Sequence, residues 1–248
     1  MFAIVVAAAA LAGWVDAVIG GGGLILIPVL MAGTSMPPAA ILATNKLAAV
    51  SGTASAAVTL VRRVGVPRHT WAYALIAGAL SAAGALAASL IDASLLRPTI
   101  LVLLIAVGVF VAVKPEFGTS EADLPPQLTR GRVLTAAGLV AVIGFYDGTF
   151  GPGTGMFLIM GFTALFAQNF VRSAAIAKVV NTATNVGALV VFISAGLVDW
   201  PLALALAAAN VAGAQIGART VLGGGAKLVR YALLTLVVVL STYLAFQL

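Results

Sequence analysis

The chain has 248 residues, of which 62% are hydrophobic and 8% charged, and its formal net charge is +6. A soluble domain carries about 25% charged residues, so this chain lacks the polar surface to cover a water-exposed globule, and it is too apolar for a disordered one. Cysteine is absent and His69 is the single histidine, which excludes disulfides, thiolate chemistry and a histidine-based metal site or catalytic triad built within one chain.

Residues 2–19 form the first apolar run; it lacks the basic start of a cleaved signal and reads as a retained segment ending at Gly20-Gly21-Gly22-Gly23. A short run, 24–36, stops at Pro37-Pro38. Residues 39–61 end at Arg62-Arg63, 70–91 at Asp92, and 98–113 at Lys114-Pro115. The hydrophilic stretch 114–132, with Glu116, Glu121, Asp123 and Arg130, reads as a cytoplasmic linker between two transmembrane units, 1–113 and 133–248. After it come runs 133–150, 153–168, 173–194, 201–218 and 229–247. They are separated by Gly151-Pro152-Gly153, Arg172, Asp199-Trp200-Pro201 and Gly223-Gly224-Gly225. A spanning helix needs about 20 residues. Lipid offers no partner to free backbone groups and no alternating barrel pattern is visible, so the segments are predicted to be helices of an all-α integral membrane protein. Runs 2–19 with 24–36, and 133–150 with 153–168, are open to two readings, full crossings or hairpins that turn back at half depth.

Charge gives the orientation. With Arg62, Arg63 and Arg68 in the cytoplasm, Lys114, Arg130, Arg132, Arg172, Arg219, Lys227 and Arg230 fall on the same side, and Arg97 alone falls outside. That positive-inside bias accounts for the net charge without nucleic acid.

The two units resemble each other. Residues 12–22 align with 143–153, preserving Gly13/Gly144, Asp16/Asp147, Gly20/Gly151 and Gly22/Gly153, with an aromatic at Trp14/Phe145. Lys46 matches Lys178 and Gly65 matches Gly196. The loop after the helix of Lys46 is basic, whereas the loop after the helix of Lys178 is acidic (Asp199), which predicts opposite faces and hence two inverted repeats of about five helical segments each. Inverted repeats with interrupted helices are characteristic of secondary transporters, whose substrate site lies near the midplane where the repeats meet.

Four features could carry chemistry there. The breaks at Gly20, Gly21, Gly22 and Gly23 and at Gly151 and Gly153 suit broken or re-entrant helices, whose free N–H groups and positive dipole ends attract an anion; close helix packing is the plainer reading. Asp16 and Asp147 lie one turn before those breaks and could carry a coupling proton, bind a cation or cap the turn. Lys46 and Lys178 lie roughly 8–12 Å inside their segments; a buried ammonium needs a partner, either an Asp of the same half or an anionic substrate. Asn45 adjoins the first lysine, and Lys178, Asn181 and Asn185 share one helix face, a polar stripe that suits substrate oxygens or helix–helix hydrogen bonds. Asn210 and Gln215 are weaker candidates, and Arg62, Arg63, Arg68, His69, Trp71 and Trp200 read as interfacial anchors. No nucleotide-binding, hydrolase or metal-ligand motif is present, so no enzyme activity, catalytic residue, metal or cofactor is expected.

Gly13-Trp14-Val15-Asp16 with the Gly20–Gly23 run, Ala43-Thr44-Asn45-Lys46, and the second copies 147–153 and 177–181 resemble the sulfite exporter TauE/SafE family over essentially the whole chain. The resemblance implies a multi-pass transporter of a bacterial or archaeal inner membrane. Its substrate would be sulfite, an organosulfonate such as sulfoacetate, or a related small anion. It also implies that the glycine breaks, Lys46, Lys178, Asn181 and Asn185 are near the substrate. The expected partners are a small anion, the lipid bilayer and a coupling proton or cation. The expected function is a secondary transporter working by alternating access; the rivals are an anion channel or uniporter of the same fold and an assembly subunit without flux.

Overall fold

The computed structural model describes residues 1–113, 129–166 and 168–223. Most of the expected linker, the last expected segment 229–247, and Lys114, Lys227 and Arg230 lie outside the described residues.

Among the described residues the regular elements are nine helices: α1 Phe2–Ile19, α2 Gly23–Gly33, α3 Pro38–Val64, α4 His69–Leu90, α5 Ala93–Val113, α6 Arg130–Thr149, α7 Thr154–Phe166, α8 Phe170–Ser194 and α9 Trp200–Gly223. Four of them, α1, α4, α8 and α9, are long and apolar enough to cross a membrane. The protein is therefore an all-helical, multi-pass membrane protein. The expected runs are recovered with shifted ends. Asn169 caps α8 by accepting the Arg172 N–H at 3.0 Å, so Arg172 lies in the first turn instead of at the break. Asp92 accepts the Ser94 N–H at 2.8 Å and starts α5 before Arg97-Pro98. The Ser94 hydrogen bonds hold the Asp92 carboxyl below the usual range. Arg219 stays inside α9, which continues to Gly223.

α2 and α7, with 11 and 13 residues, reach only roughly 16–20 Å, well short of a hydrocarbon core of about 30 Å. α2 folds back on α1: Gly22 lies against Ala12 and Asp16, and Gly33 against Val5 and Met1. α7 folds back on α6 in the same way, with Gly161 against Leu139. Each broken run is thus a pair of helices folded back on one another at its glycine break, one long and one short.

The halves exchange partners. α1 packs along α9 and α6 along α4, while α3 packs on α9 and α8, and α8 on α4. Backbones meet at small residues: a Cβ on Gly213 would fall 1.8 Å from the Ala10 carbonyl oxygen, and one on Gly148 equally close, 1.8 Å, to that of Ser81. With no hydrophobic drive between helices in lipid, such close packing and interhelical hydrogen bonds hold the bundle. Asn210 donates to the Ala9 carbonyl at 3.0 Å and Gln215 to that of Ser55 at 3.0 Å, so these two side chains serve helix packing. Ser81 and Thr149 play the same part on the other side, donating to the carbonyls of Thr184 and Gly84.

α3 and α8 run antiparallel. The N-terminal part of α3 meets the loop between α8 and α9, where the Asp199 N–H donates to Thr44 Oγ1 at 3.4 Å. The end of α3 (Val64, Pro67) and the start of α8 (Arg172, Ile176) line one cleft.

Candidate functional site

Both hairpin tips lie beside the α3/α8 pair. α1 ends because Gly20 adopts a left-handed conformation (φ 80°), its N–H returning to the Asp16 carbonyl at 2.7 Å. L side chains disfavour that region, so the glycine sets the turn. The Gly22 N–H reaches Asp16 Oδ1 at 3.4 Å, which ties the turn to the end of α1. In the second half Gly151 (φ 91°) turns the chain after Asp147. There Tyr146 donates to the Pro152 carbonyl at 2.7 Å and Thr154 Oγ1 to that of Gly151 at 2.9 Å.

The tips touch. The Met156 N–H, in the first turn of α7, donates to the Gly20 carbonyl at 3.2 Å. A Cβ on Gly20 would fall 2.2 Å from the Gly155 carbonyl carbon. Gly23 faces Pro152 and Asn45: a Cβ there would lie 3.8 Å from Pro152 Cα and 3.9 Å from Asn45 Nδ2. A Cβ on Gly151 would lie 3.3 Å from Lys46 Nζ. Glycines 20, 23 and 151, Asn45 and Lys46 thus lie around the two tips. Gly22 faces its own hairpin, and Gly153 (φ 79°) faces Val107 and Phe157.

Each lysine pairs with a carboxylate, and the pairing crosses between halves. Lys46 Nζ lies 2.6 Å from Asp147 Oδ2, with both side chains about 2–3% exposed. Lys178 Nζ lies 2.7 Å from Asp16 Oδ2 and also donates to the Asp16 carbonyl; the lysine is fully buried and the aspartate 14% exposed. Of the two partners expected from the sequence, an Asp of the same half is corrected to the Asp of the other half. The physical reason is the antiparallel course of α3 and α8, which carries each lysine to the tip of the other half's hairpin. The two pairs together bring two ammonium groups and two carboxylates, formally zero net charge, to the hairpin tips.

Asn181 and Asn185 are buried on the same helix as Lys178, and their hydrogen bonds run within α8: Asn185 Nδ2 donates to the Asn181 carbonyl at 2.8 Å. Sequence reasoning missed Tyr146, because its counterpart in the first copy is Val15 and a repeat comparison gives it no weight.

Two clefts lie toward opposite ends of α3. One, of about 350 Å³, is lined by His69, Gln168 and Arg172. The other, of about 80 Å³, is lined by Thr34, Ser35 and Arg97. Of these residues only His69 is expected from the sequence as an anchor; Thr34, Ser35 and Gln168 fall inside predicted apolar runs. Among the described residues no cluster of three His, Cys, Asp or Glu side chains could hold a metal ion.

Residues 5–244 match the family described as sulfite exporter TauE/SafE. The chain is 36% identical over 249 residues to the "Probable membrane transporter protein ORF9" of a Sinorhizobium species, covering all of this chain and 92% of that protein. It is 35% identical over 247 residues to the "Probable membrane transporter protein YfcA" of Escherichia coli K12 (96% of this chain, 87% of that protein). It is 34% identical over 231 residues to a "Probable membrane transporter protein" of Haemophilus influenzae (93% and 89%). No solved structure matches. With its helices, its hairpin breaks and nearly its whole length accounted for, the chain belongs to the sulfite exporter TauE/SafE family of membrane transporters.

Proposed function

We propose that the protein is a secondary transporter of small anions, with sulfite and organosulfonates such as sulfoacetate as the substrate class. It would work in a bacterial inner membrane by alternating access between two inverted repeats. The inversion is supported by the antiparallel course of α3 and α8, the exchange of packing partners between halves, and the one-sided distribution of Arg and Lys. The two clefts toward opposite ends of α3 fit access routes from the two faces.

The observation that carries the reading is the pair of cross-half ion pairs at the hairpin tips. At rest the cluster is neutral, and an added anion in a low-dielectric site is costly unless charge arrives with it. A proton on Asp16 or Asp147 supplies that charge. It frees the partner ammonium for the anion, next to the hairpin-tip glycines and to Asn45; Asn181 and Asn185 extend the polar face along α8. Anion and proton then cross together, and breaking both cross-half contacts lets the repeats rock past each other. Glycines 23 and 151, which face Asn45 and Lys46, let backbone approach the substrate closely.

The test is sulfite flux into proteoliposomes holding the purified chain. The proposal predicts saturable flux, accelerated counterflow, and accumulation driven by an inward proton gradient. Lys178→Met abolishes flux, and Asp16→Asn uncouples it from the proton gradient. Unchanged kinetics in Lys178→Met would remove this site from the mechanism, and non-saturating flux without counterflow would favour the channel of the same fold.

A further inference from the structure

We propose that the groove between α3, α4 and α8 binds one anionic membrane phospholipid, with the phosphate headgroup on Arg62 and the acyl chains along the wall of small residues. The groove has a volume of about 1120 Å³ and an almost wholly apolar lining that includes Ala54, Ala79, Val179 and Ala183. It exists because α4 and α8 are in backbone contact: a Cβ on Gly187 would fall 2.0 Å from the Gly78 carbonyl oxygen. No large side chain grows from that seam to fill the space above it.

The two ends of the groove differ. Arg62, in the last turn of α3, and Trp71, 58% exposed near the start of α4, line the end where the charge bias places the cytoplasmic surface. From Trp71 to Ala79 the wall runs eight residues along α4, roughly 12 Å, which is close to the ~15 Å depth of one leaflet. A lipid seated there has its headgroup at the guanidinium, its glycerol region at the indole, and its chains ending at mid-bilayer.

Charge selects the class of occupant. Arg62 is exposed and makes no hydrogen bond or ion pair among the described residues. The described carboxylates are Asp16 and Asp147, held in the central pairs, and Asp92 and Asp199, at the far ends of α4 and α8. None of them faces the groove. A second copy docked across this face by a two-fold axis would bring another Arg62 and no described counter-charge, whereas a phosphate supplies it. Basic pockets between helices on the cytoplasmic side are the usual sites for anionic headgroups.

The experiment is native mass spectrometry of the delipidated full chain titrated with phosphatidylglycerol or phosphatidylethanolamine. The expected result is one retained phosphatidylglycerol, preferred by about fivefold, the margin of one arginine at the surface. Arg62→Gln removes the preference. Ala79→Trp fills the exposed side of the groove and removes lipid retention, while the unfolding temperature stays that of the wild type. Equal retention of the two lipids, or variants that retain lipid as the wild type does, would overturn the proposal. So would a dimer that Ala79→Trp dissociates, since the occupant would then be a second copy. Should Ala79→Trp fail to fold, Arg62→Gln alone decides.

Discussion

The two hairpin tips begin from the same sequence pattern and are built differently. The first is bare glycine from 20 to 23, held at Gly22 by the Asp16 carboxylate, and Asp16 is 14% exposed. The second is braced by Tyr146 on Pro152 and Thr154 on Gly151, and its Asp147 is 2% exposed. The same lysine–aspartate pair therefore sits in two environments. The Asp147–Lys46 pair is sealed inside the bundle, whereas the Asp16 carboxylate of the other pair is partly accessible. The divergence of a few tip residues thus gives the two ion pairs unequal exposure, which under the proposed function favours Asp16 over Asp147 as the proton-exchanging carboxylate. The tips are also interlocked, since the Gly20 carbonyl accepts the Met156 N–H, so movement of one half is felt by the other.

Removing one member of the sealed pair should cost most. Lys46→Ala leaves Asp147 buried without its partner, for a loss of about 3–5 kcal/mol, read as a large drop in unfolding temperature in detergent. Lys178→Ala should cost clearly less, because Asp16 regains solvent. Equal losses would remove the distinction between the sealed pair and the accessible one.

Next come the tip glycines. Gly20→Ala places a Cβ 2.2 Å from rigid backbone at Gly155, and Gly151→Ala places it 3.3 Å from the flexible end of Lys46. The second substitution should cost only the left-handed strain, about 1–2 kcal/mol. The first should cost more and abolish flux, because backbone cannot yield as an ammonium can. Thermal unfolding and flux assays on both variants check the order.

The smallest effect belongs to the brace. Tyr146→Phe deletes one hydrogen bond to Pro152, worth about 1 kcal/mol. It should loosen the second tip and leave saturable flux in place. A wild-type unfolding temperature in this variant would mean that the hydroxyl does not hold the tip.

Much of this site was legible before the fold. Charges and glycines are costly or conspicuous in an apolar chain, so Asp16, Lys46, Asp147, Lys178 and the two breaks stood out, and their repetition in order marked the duplication. Partner choice was not legible. The sequence left an Asp of the same half or an anionic substrate open as partner, and which carboxylate meets which ammonium depends on how α3 and α8 lie side by side. Helix ends at Arg97 and Arg172 were displaced for a local reason: Asp92 and Asn169 cap the helices, and an arginine in the first turn is no barrier to helix. Tyr146 escaped because its value lies in one hydroxyl on one backbone carbonyl, which no periodicity reveals.

The cross-half pairing is tested most directly by double-mutant cycles on unfolding free energy, using alanine at the four charged positions singly and in pairs. The account predicts coupling of about 0.5–3 kcal/mol for contacting pairs in Lys46/Asp147 and Lys178/Asp16, and clearly weaker coupling in Lys46/Asp16 and Lys178/Asp147. Coupling as strong within each half as between the halves would contradict it.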